Sequence, residues 1–268
     1  MFAQWEVMKK AHESGIKVLL DGQGADETLG GYSIFAGVYL LGLVKQLKFG
    51  SFFSESRMLA GNRSVNTYKE IGRAAFHHLP RFLQTGIHKK ERLSAGFVSP
   101  GFASHMENHS TPVNMGRSYL EMSLQSTRYG LQDLLRYEDR NSMAFSIESR
   151  VPFLDHRLVE YTLALPEREK IHRGWTKYIL RRAMSQRLPE EVVWRKDKKG
   201  FVTPQSKWMA ELKPRLTTYL NEVSMPPFLN RDSILKALNQ SGLNASQVSE
   251  FWKVISLIKW FEIFSFTE

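Results

Sequence analysis

The sequence predicts a mainly helical chain that carries one strand of an open, parallel α/β sheet together with the ligand loop at that strand's end. Three observations lead there. Residues 16–20 form a short apolar run, Ile-Lys-Val-Leu-Leu, which suits a strand covered on both faces. The run passes straight into Asp21-Gly22-Gln23-Gly24-Ala25-Asp26-Glu27, a glycine turn full of carboxylates, and open α/β sheets bind ligands just past the carboxyl ends of their strands. Residues 2–14 read as a helix with Trp5, Met8 and Ala11 on its apolar side and Gly15 as its stop, so helix, glycine and strand make the second half of a βαβ unit. No second strand of this kind stands out elsewhere. A lone strand leaves its backbone groups without ladder partners, so the expectation is the C-terminal part of a larger fold. Pattern alone leaves the glycine turn open between a ligand loop and an ordinary tight turn.

Composition narrows the classes. With 268 residues, 42% hydrophobic and 24% charged, the chain has the make-up of a globular protein of one large or two small domains. A net charge of +10 favours anionic partners such as nucleotides and phosphates. The absence of cysteine excludes disulfides, thiolate metal sites and a cysteine nucleophile, and is consistent with the cytoplasm. The first residues are mixed in charge, unlike a signal peptide. Tyr32 to Val44 is the longest apolar run. It falls short of the roughly 20 residues that span a bilayer and reads as a buried helix, with no membrane partner.

The remaining elements follow in order. Residues 33–48 continue as an apolar helix, and residues 50–118 hold scattered basic residues and turn signals. His77-His78 and His105/His109 have no neighbours completing a metal site of known spacing and read as surface histidines. Helical periodicity returns from Tyr119 to Phe145, where the four charges of Arg136 to Arg140 read as a solvated face. Pro152 biases Val151 toward extended backbone, and an extended segment there puts Glu148 and Arg150 on one face. Asp155 caps a helix over 156–165, and Pro166 stops it. Thr176 to Leu188 reads as a helix with Ile179, Leu180, Ala183 and Met184 inward, Lys177 in its first turn, and Arg181 directed elsewhere. The basic loop Arg195 to Phe201 with Gly200 suits a phosphate or a plain solvated turn. Thr203-Pro204 starts a helix, and Asn244 to Gln247 forms a capping box for the last one.

At these residues a resemblance appears. The stretches LLDGQGADETLGGY, LRYEDRNSMAFSIESRVPFLDHRLVEYTLALP and KYILRRAMSQRLPEEVVWRKDKKGF, in that order, resemble the synthetase domain of glutamine-hydrolysing asparagine synthetases over most of residues 1–210. The resemblance implies an α/β fold of the ATP-pyrophosphatase, adenine nucleotide alpha-hydrolase-like type, here predominantly α-helical with one or few strands. It divides the chain into the end of an α/β core (1–48), a variable helical or loop insertion (49–118) and a helical C-terminal region (119–268). The implied chemistry is adenylation of a carboxylate by ATP with Mg2+, release of pyrophosphate, and displacement of AMP by ammonia. Carried over by position, Asp26 is the magnesium-associated aspartate and Lys198 neutralises charge at the α-phosphate. Lys177 is a second phosphate contact, Gly22 and Gly24 belong to the nucleotide loop, and Asp139 and Arg140 match a motif near the acyl-adenylate pocket. The family's glutaminase domain and its SGGxDS pyrophosphate loop do not occur in these residues. The expectation is therefore a piece inactive alone, completed by an N-terminal half or a complementary subunit.

Gln23 departs from the family, which places Glu in GEGxDE to deprotonate the incoming ammonium. An amide cannot take up that proton, although it can hydrogen-bond substrate or the loop backbone. This admits an amidotransferase acting on a carboxylate other than aspartate, such as a surface-polysaccharide sugar, beside the aspartate reading. A non-catalytic fragment or interaction subunit is the alternative of a different class. Nucleic-acid binding rests on net charge alone, with no motif behind it.

Overall fold

A computed structural model of the chain describes residues 2–62, 66–78, 96–109, 118–196, 203–240 and 243–264. The chain divides into two compact units, Met1–Gln84 with Val113–Val202, and Thr85–Pro112 with Thr203–Glu268.

The first unit opens with α1 (Phe2–Glu13) and β1 (Val18–Leu20), followed by α2 (Ala25–Leu29), α3 (Ser33–Lys45), α4 (Phe49–Gly61) and α5 (Thr67–His78). After residue 113 come α7 (Tyr119–Gln125), which runs through a π-helical turn at Ser126–Gly130 into α8 (Leu131–Met143), then β2 (Glu148–Arg150), a 3-10 turn at Pro152–Leu154, α9 (His156–Ala164), α10 (Glu167–Lys170), α11 (Tyr178–Met184) and α12 (Glu190–Val193). The helix α6 (Pro100–His109) belongs to the second unit.

The apolar run expected to be a buried helix is α3. Its Phe35, Ala36 and Leu40 are fully buried and form a core with Leu59 of α4, Tyr119 of α7 and Ile171. Among the described residues one stretch, Ala25–Lys45, is apolar and long enough to cross a membrane, but about two-thirds of its most apolar window is buried within the protein. Gly30, at φ 68°, also breaks it into α2 and α3.

Two expectations about β1 are corrected. First, a strand partner does lie within this chain: β2 pairs parallel to β1, with Val18 opposite Glu148 and Leu20 opposite Arg150. Residues 148–150 lack the apolar run that marks a buried strand, so they carried no strand signal. The extended reading of that segment holds, and Arg150 Nε donates to Glu148 Oε1 at 2.8 Å. Second, β1 is covered on one face only. Leu19 packs with Met8 and Ala11 of α1 and with Ile147, whereas Ile16 is 40% exposed, Val18 41% and Leu20 75%. A parallel strand is ordinarily covered on both faces. Among the described residues nothing covers this one.

Further differences are local. The helix after Lys177 begins at Tyr178, so Lys177 precedes it in a left-handed conformation instead of occupying its first turn. Arg181 is turned inward, its Nε donating to Thr176 O at 2.9 Å and its guanidinium 4.8 Å from the centre of the Trp175 ring. Within the charged run 136–140, Glu138 is buried, not solvated. Asp155 caps α9 as expected, accepting from Arg157 N.

The second unit is helical: α6, α13 (Gln205–Glu222), α14 (Arg231–Asn239) and α15 (Ala245–Phe264). Phe97, Leu220, Ile234, Phe251 and Ile258 form its core. The capping box at the head of α15 is reciprocal, with Gln247 N donating to Asn244 Oδ1 at 3.0 Å and Asn244 N to Gln247 Oε1 at 2.9 Å, which satisfies two backbone donors at once.

Candidate functional site

The loop after β1 is built by its own hydrogen bonds. Gln23 N donates to Asp21 Oδ1 at 2.9 Å, an Asx-type turn that the aspartate side chain makes with the backbone two residues on. Gly24 takes φ 89°, and a Cβ there would come 2.1 Å from Leu154 Cδ2, so only glycine fits. Thr28 is buried and its hydroxyl donates to Gly24 O at 2.8 Å. Glu27, also buried, accepts from the Tyr32 hydroxyl at 2.5 Å. Burial first, and then the Glu27 hydrogen bond and charge, push the Tyr32 hydroxyl far above the ordinary tyrosine range. Glu27 therefore anchors the loop, and Asp26 is the carboxylate left near the surface.

Asp26 meets Lys177. Their side chains form an ion pair, Nζ to Oδ1, at 3.0 Å, each still about a quarter exposed. Two features hold this contact. Lys177 sits at φ 51°, a conformation costing about 1 kcal/mol or more for a residue with a Cβ. Gly31 lies beneath the pair, where a Cβ would be 1.8 Å from Asp26 Oδ1 and 2.2 Å from Lys177 Cε. Two motifs far apart in sequence thus converge on one glycine.

A second carboxylate stands behind the loop. Glu138, on α8, is 2% exposed. It accepts from Ser149 Oγ at 2.7 Å and from Gln4 Nε2, while Gln4 Oε1 accepts from Asn141 Nδ2 at 2.7 Å. Burial pushes the Glu138 carboxyl up, the Ser149 hydrogen bond opposes that, the charge and hydrogen bond of Asp21 push it further up, and a hydrogen bond from the Gln23 amide opposes again. Sequence reasoning missed this residue and took its exposed neighbours Asp139 and Arg140. The only available signal was its spacing on α8, with Leu131, Glu138 and Ser142 sharing the buried face.

A cavity of about 730 Å³ opens beside the loop, lined by Thr28 and Leu29 of α2, by Leu158 and Thr162 of α9, and by Lys177 and Met184 among others. Among the described residues of its wall, Lys177 and Arg181 are the charged side chains, and none is a carboxylate.

Of the residues expected from the sequence, Gly22, Gln23, Gly24, Asp26 and Lys177 are thus gathered around one turn. Gly22 borders open space. Asp139 and Arg140 stand exposed on the turn of α8 that buries Glu138. Lys198 lies outside the described residues. Among the described residues no group of three or more metal-ligating side chains forms.

A glycine turn at the end of a parallel strand, with a carboxylate and a lysine meeting beside it, is the kind of place at which open α/β sheets bind their ligands. Comparison with known proteins gives the family. The asparagine synthase family profile matches residues 1–262, and the chain belongs to that family. It is 26% identical to asparagine synthetase (glutamine-hydrolyzing) 1 of Bacillus subtilis (strain 168) over 95% of this chain and 42% of that protein. It is 47% identical to asparagine synthetase (glutamine-hydrolyzing) 3 of the same organism, over 42% of this chain and 18% of that protein. It is also 26% identical to the amidase chyE of Penicillium rubens over 74% of this chain and 34% of that protein. The chain thus spans less than half the length of these relatives.

Proposed function

We propose that this chain is the C-terminal portion of an ATP-dependent amide-forming ligase that adenylates a carboxylate, releases pyrophosphate and passes the acyl group to ammonia. The observation that carries the reading is the Asp26–Lys177 pair at 3.0 Å. A partly exposed carboxylate and a lysine held together over a glycine suit a hard cation and a phosphate side by side. The fit to Mg2+ and ATP is chemical. Mg2+ is commonly held by one or two carboxylates, with water and phosphate oxygens completing its shell, so Asp26 would hold it with Lys177 beside the phosphates. Bound there, the ion would neutralise charge on the phosphates during transfer. Lys177 would neutralise phosphate charge as pyrophosphate forms, with Lys198 in the same role at the α-phosphate. Gly22 and Gly24 would let the backbone approach the nucleotide, and Asp139 and Arg140 would face the acyl-adenylate.

The chain is proposed to work with further polypeptide and to be inactive alone. The support is the bare apolar face of β1 and its unpaired second edge among the described residues, which a neighbouring strand and a covering helix would complete as an adenine nucleotide alpha-hydrolase-like sheet.

The acceptor is proposed to be a carboxylate other than aspartate. The support is that Gln23 replaces the proton-accepting Glu of the resemblance, and that the described residues lining the cavity beside Lys177 include no carboxylate for an α-ammonium group.

The test measures ATP-dependent pyrophosphate release by the chain alone and joined to a separately supplied SGGxDS-bearing half, across a panel of carboxylates. The expected result is no release alone and release when joined, lost on Asp26→Asn and Lys198→Ala. Release by the isolated chain would overturn the need for a partner. No release with any carboxylate in the joined form would leave the non-catalytic reading standing.

A further inference from the structure

We propose that the cavity beside the Asp26–Lys177 pair binds a carboxylic acid with an apolar body, its carboxylate against Lys177 and its hydrocarbon part along the wall. Binding of such an acid stands on the cavity itself. Its part as the acyl acceptor rests on the ligase reading above, and names the class of that acceptor.

The wall decides the class. A volume of about 730 Å³ falls within the range of about 300–1,000 Å³ that small-molecule pockets span. Leu29 of α2, Leu158 of α9, Leu180 and Met184 of α11 and Val192 of α12 converge on it. Leu158 and Val192 remain exposed. Apolar surface at the mouth therefore stays in water until something covers it, which favours an apolar occupant.

Most polar groups of the same wall are already engaged. Thr28 Oγ1 donates to Gly24 O at 2.8 Å, and Thr162 Oγ1 to Leu158 O at 2.8 Å. A hydroxyl has a single proton to give, so neither threonine donates to a ligand. Arg181 donates through Nε to Thr176 O at 2.9 Å and through Nη1 to Val193 O, with its guanidinium against the Trp175 ring, so it fastens the sides of the wall to each other. Lys177 differs. Its Nζ pairs with Asp26 Oδ1 at 3.0 Å, and an ammonium has further donors to offer a carboxylate. Asp26 balances part of that charge, so the apolar body carries most of the affinity. An α-amino acid would bring an ammonium that no carboxylate of the described wall meets, and stripping its water there is costly.

The experiment uses the full chain, titrated calorimetrically with butyrate, hexanoate and octanoate. Affinity should rise about threefold to fourfold for each added methylene, with a negative heat-capacity change from apolar burial. Ala183→Phe, at an exposed wall position on α11, fills the cavity and should weaken octanoate binding roughly tenfold or more. Equal affinities across the series, or octanoate binding unchanged in Ala183→Phe, overturn the proposal. If Ala183→Phe does not fold, Leu158→Asp serves instead: it puts a carboxylate in the wall and should weaken octanoate to a similar degree, and unchanged binding overturns the proposal. Lys177→Met should weaken octanoate roughly tenfold and leave 1-octanol unchanged. Equal loss of both overturns the placement of the carboxylate at Lys177.

An arm with the joined ligase separates this inference from the ligase reading. ATP-dependent pyrophosphate release should follow the binding order, octanoate above butyrate and aspartate lowest. Release with aspartate in preference to octanoate overturns the proposal. So does loss of octanoate binding on joining, because polypeptide then covers the wall. Absence of pyrophosphate release with every acid, while the binding series holds in the joined protein, defeats the ligase reading instead and upholds the cavity as a site for apolar acids.

Discussion

Lys170 supplies a quantitative test of the first unit's core. It is 1% exposed, with its ammonium 5.2 Å from the centre of the Tyr119 ring. Burial lowers its pKa from 10.5 to about 8, against the opposing charge of Glu167. The sign follows from proton counting. Between about 8 and 10.5 the unfolded chain holds a proton here that the folded chain has shed, so stability rises with pH across that window and is lower, and flat in this term, below it. The slope approaches about 1.4 kcal/mol per pH unit, and the full shift corresponds to about 3 kcal/mol. Tyrosines work in the opposite sense higher up. Burial holds Tyr39 at about 12 in the fold, so its ionisation in the unfolded chain erodes stability above about pH 10. The measurement is therefore a difference: wild type minus Lys170→Met, by urea denaturation read through tryptophan fluorescence, where Trp175 and Trp194 lie 5.2 Å apart in the same unit. The variant keeps the length and the apolar stem, and the tyrosine contributions cancel. Wild type should gain about 1.5 kcal/mol on the variant between pH 8 and 9.5, the slope being half its full value at pH 8 and approaching it above. Glu167 is pushed up by burial and held down first by Lys170, so removing Lys170 alters the acid limb and leaves this window clean. A flat difference between pH 8 and 9.5 would refute the reasoning.

Other consequences are as direct. Gly30→Ala would bring a Cβ to 1.7 Å from the Tyr119 hydroxyl, and with the positive φ it should cost roughly 2–4 kcal/mol. Because that hydroxyl has no hydrogen-bond partner among the described residues, Tyr119→Phe should be neutral or stabilising alone and recover part of the Gly30→Ala loss, a coupling that a double-mutant cycle of Tm values will show or deny. Glu55 is buried and accepts from Arg173 N at 2.9 Å and Gly174 N at 3.1 Å; Glu55→Ala should destabilise by roughly 2–4 kcal/mol, and a change below 0.5 kcal/mol would deny it that anchoring role. Leu20→Lys, at a side chain 75% exposed, should leave the melting of the isolated chain within about half a kcal/mol and weaken its association with a sheet-completing partner; unfolding of the isolated chain by this change would contradict the bare face.

The legible parts of the fold were those whose signal is local. A run of apolar residues at α3, a capping box at Asn244 and Gln247, and an N-cap at Asp155 each declare themselves within a few positions, and each forms. The strand β2 did not, because Glu148-Ser149-Arg150 has the side chains of an exposed turn and becomes a strand only through the backbone edge that β1 offers it. Lys177 was placed in a helix by periodicity, whereas its position against Asp26 over Gly31 pulls it out into a left-handed residue. Here a tertiary contact overrides propensity.

The same distinction explains which site residues could be read. Gly22, Gln23, Gly24 and Asp26 sit in one contiguous loop, and their grouping follows from chain connectivity. Glu138 is 115 residues from Gln23, in a run where charged neighbours point to water, and a charge run carries no mark of which member turns inward. Its burial is set by the faces of α1, α8 and β2 that meet there: Gln4, Ser149 and Asn141 are each unremarkable in sequence and form a satisfied network only when assembled. A buried carboxyl must have such a network to persist. Because Ser149 lies on β2, whose Arg150 O accepts from Asp21 N at 2.8 Å, that network is joined through the strand pair to the start of the turn that carries Gln23.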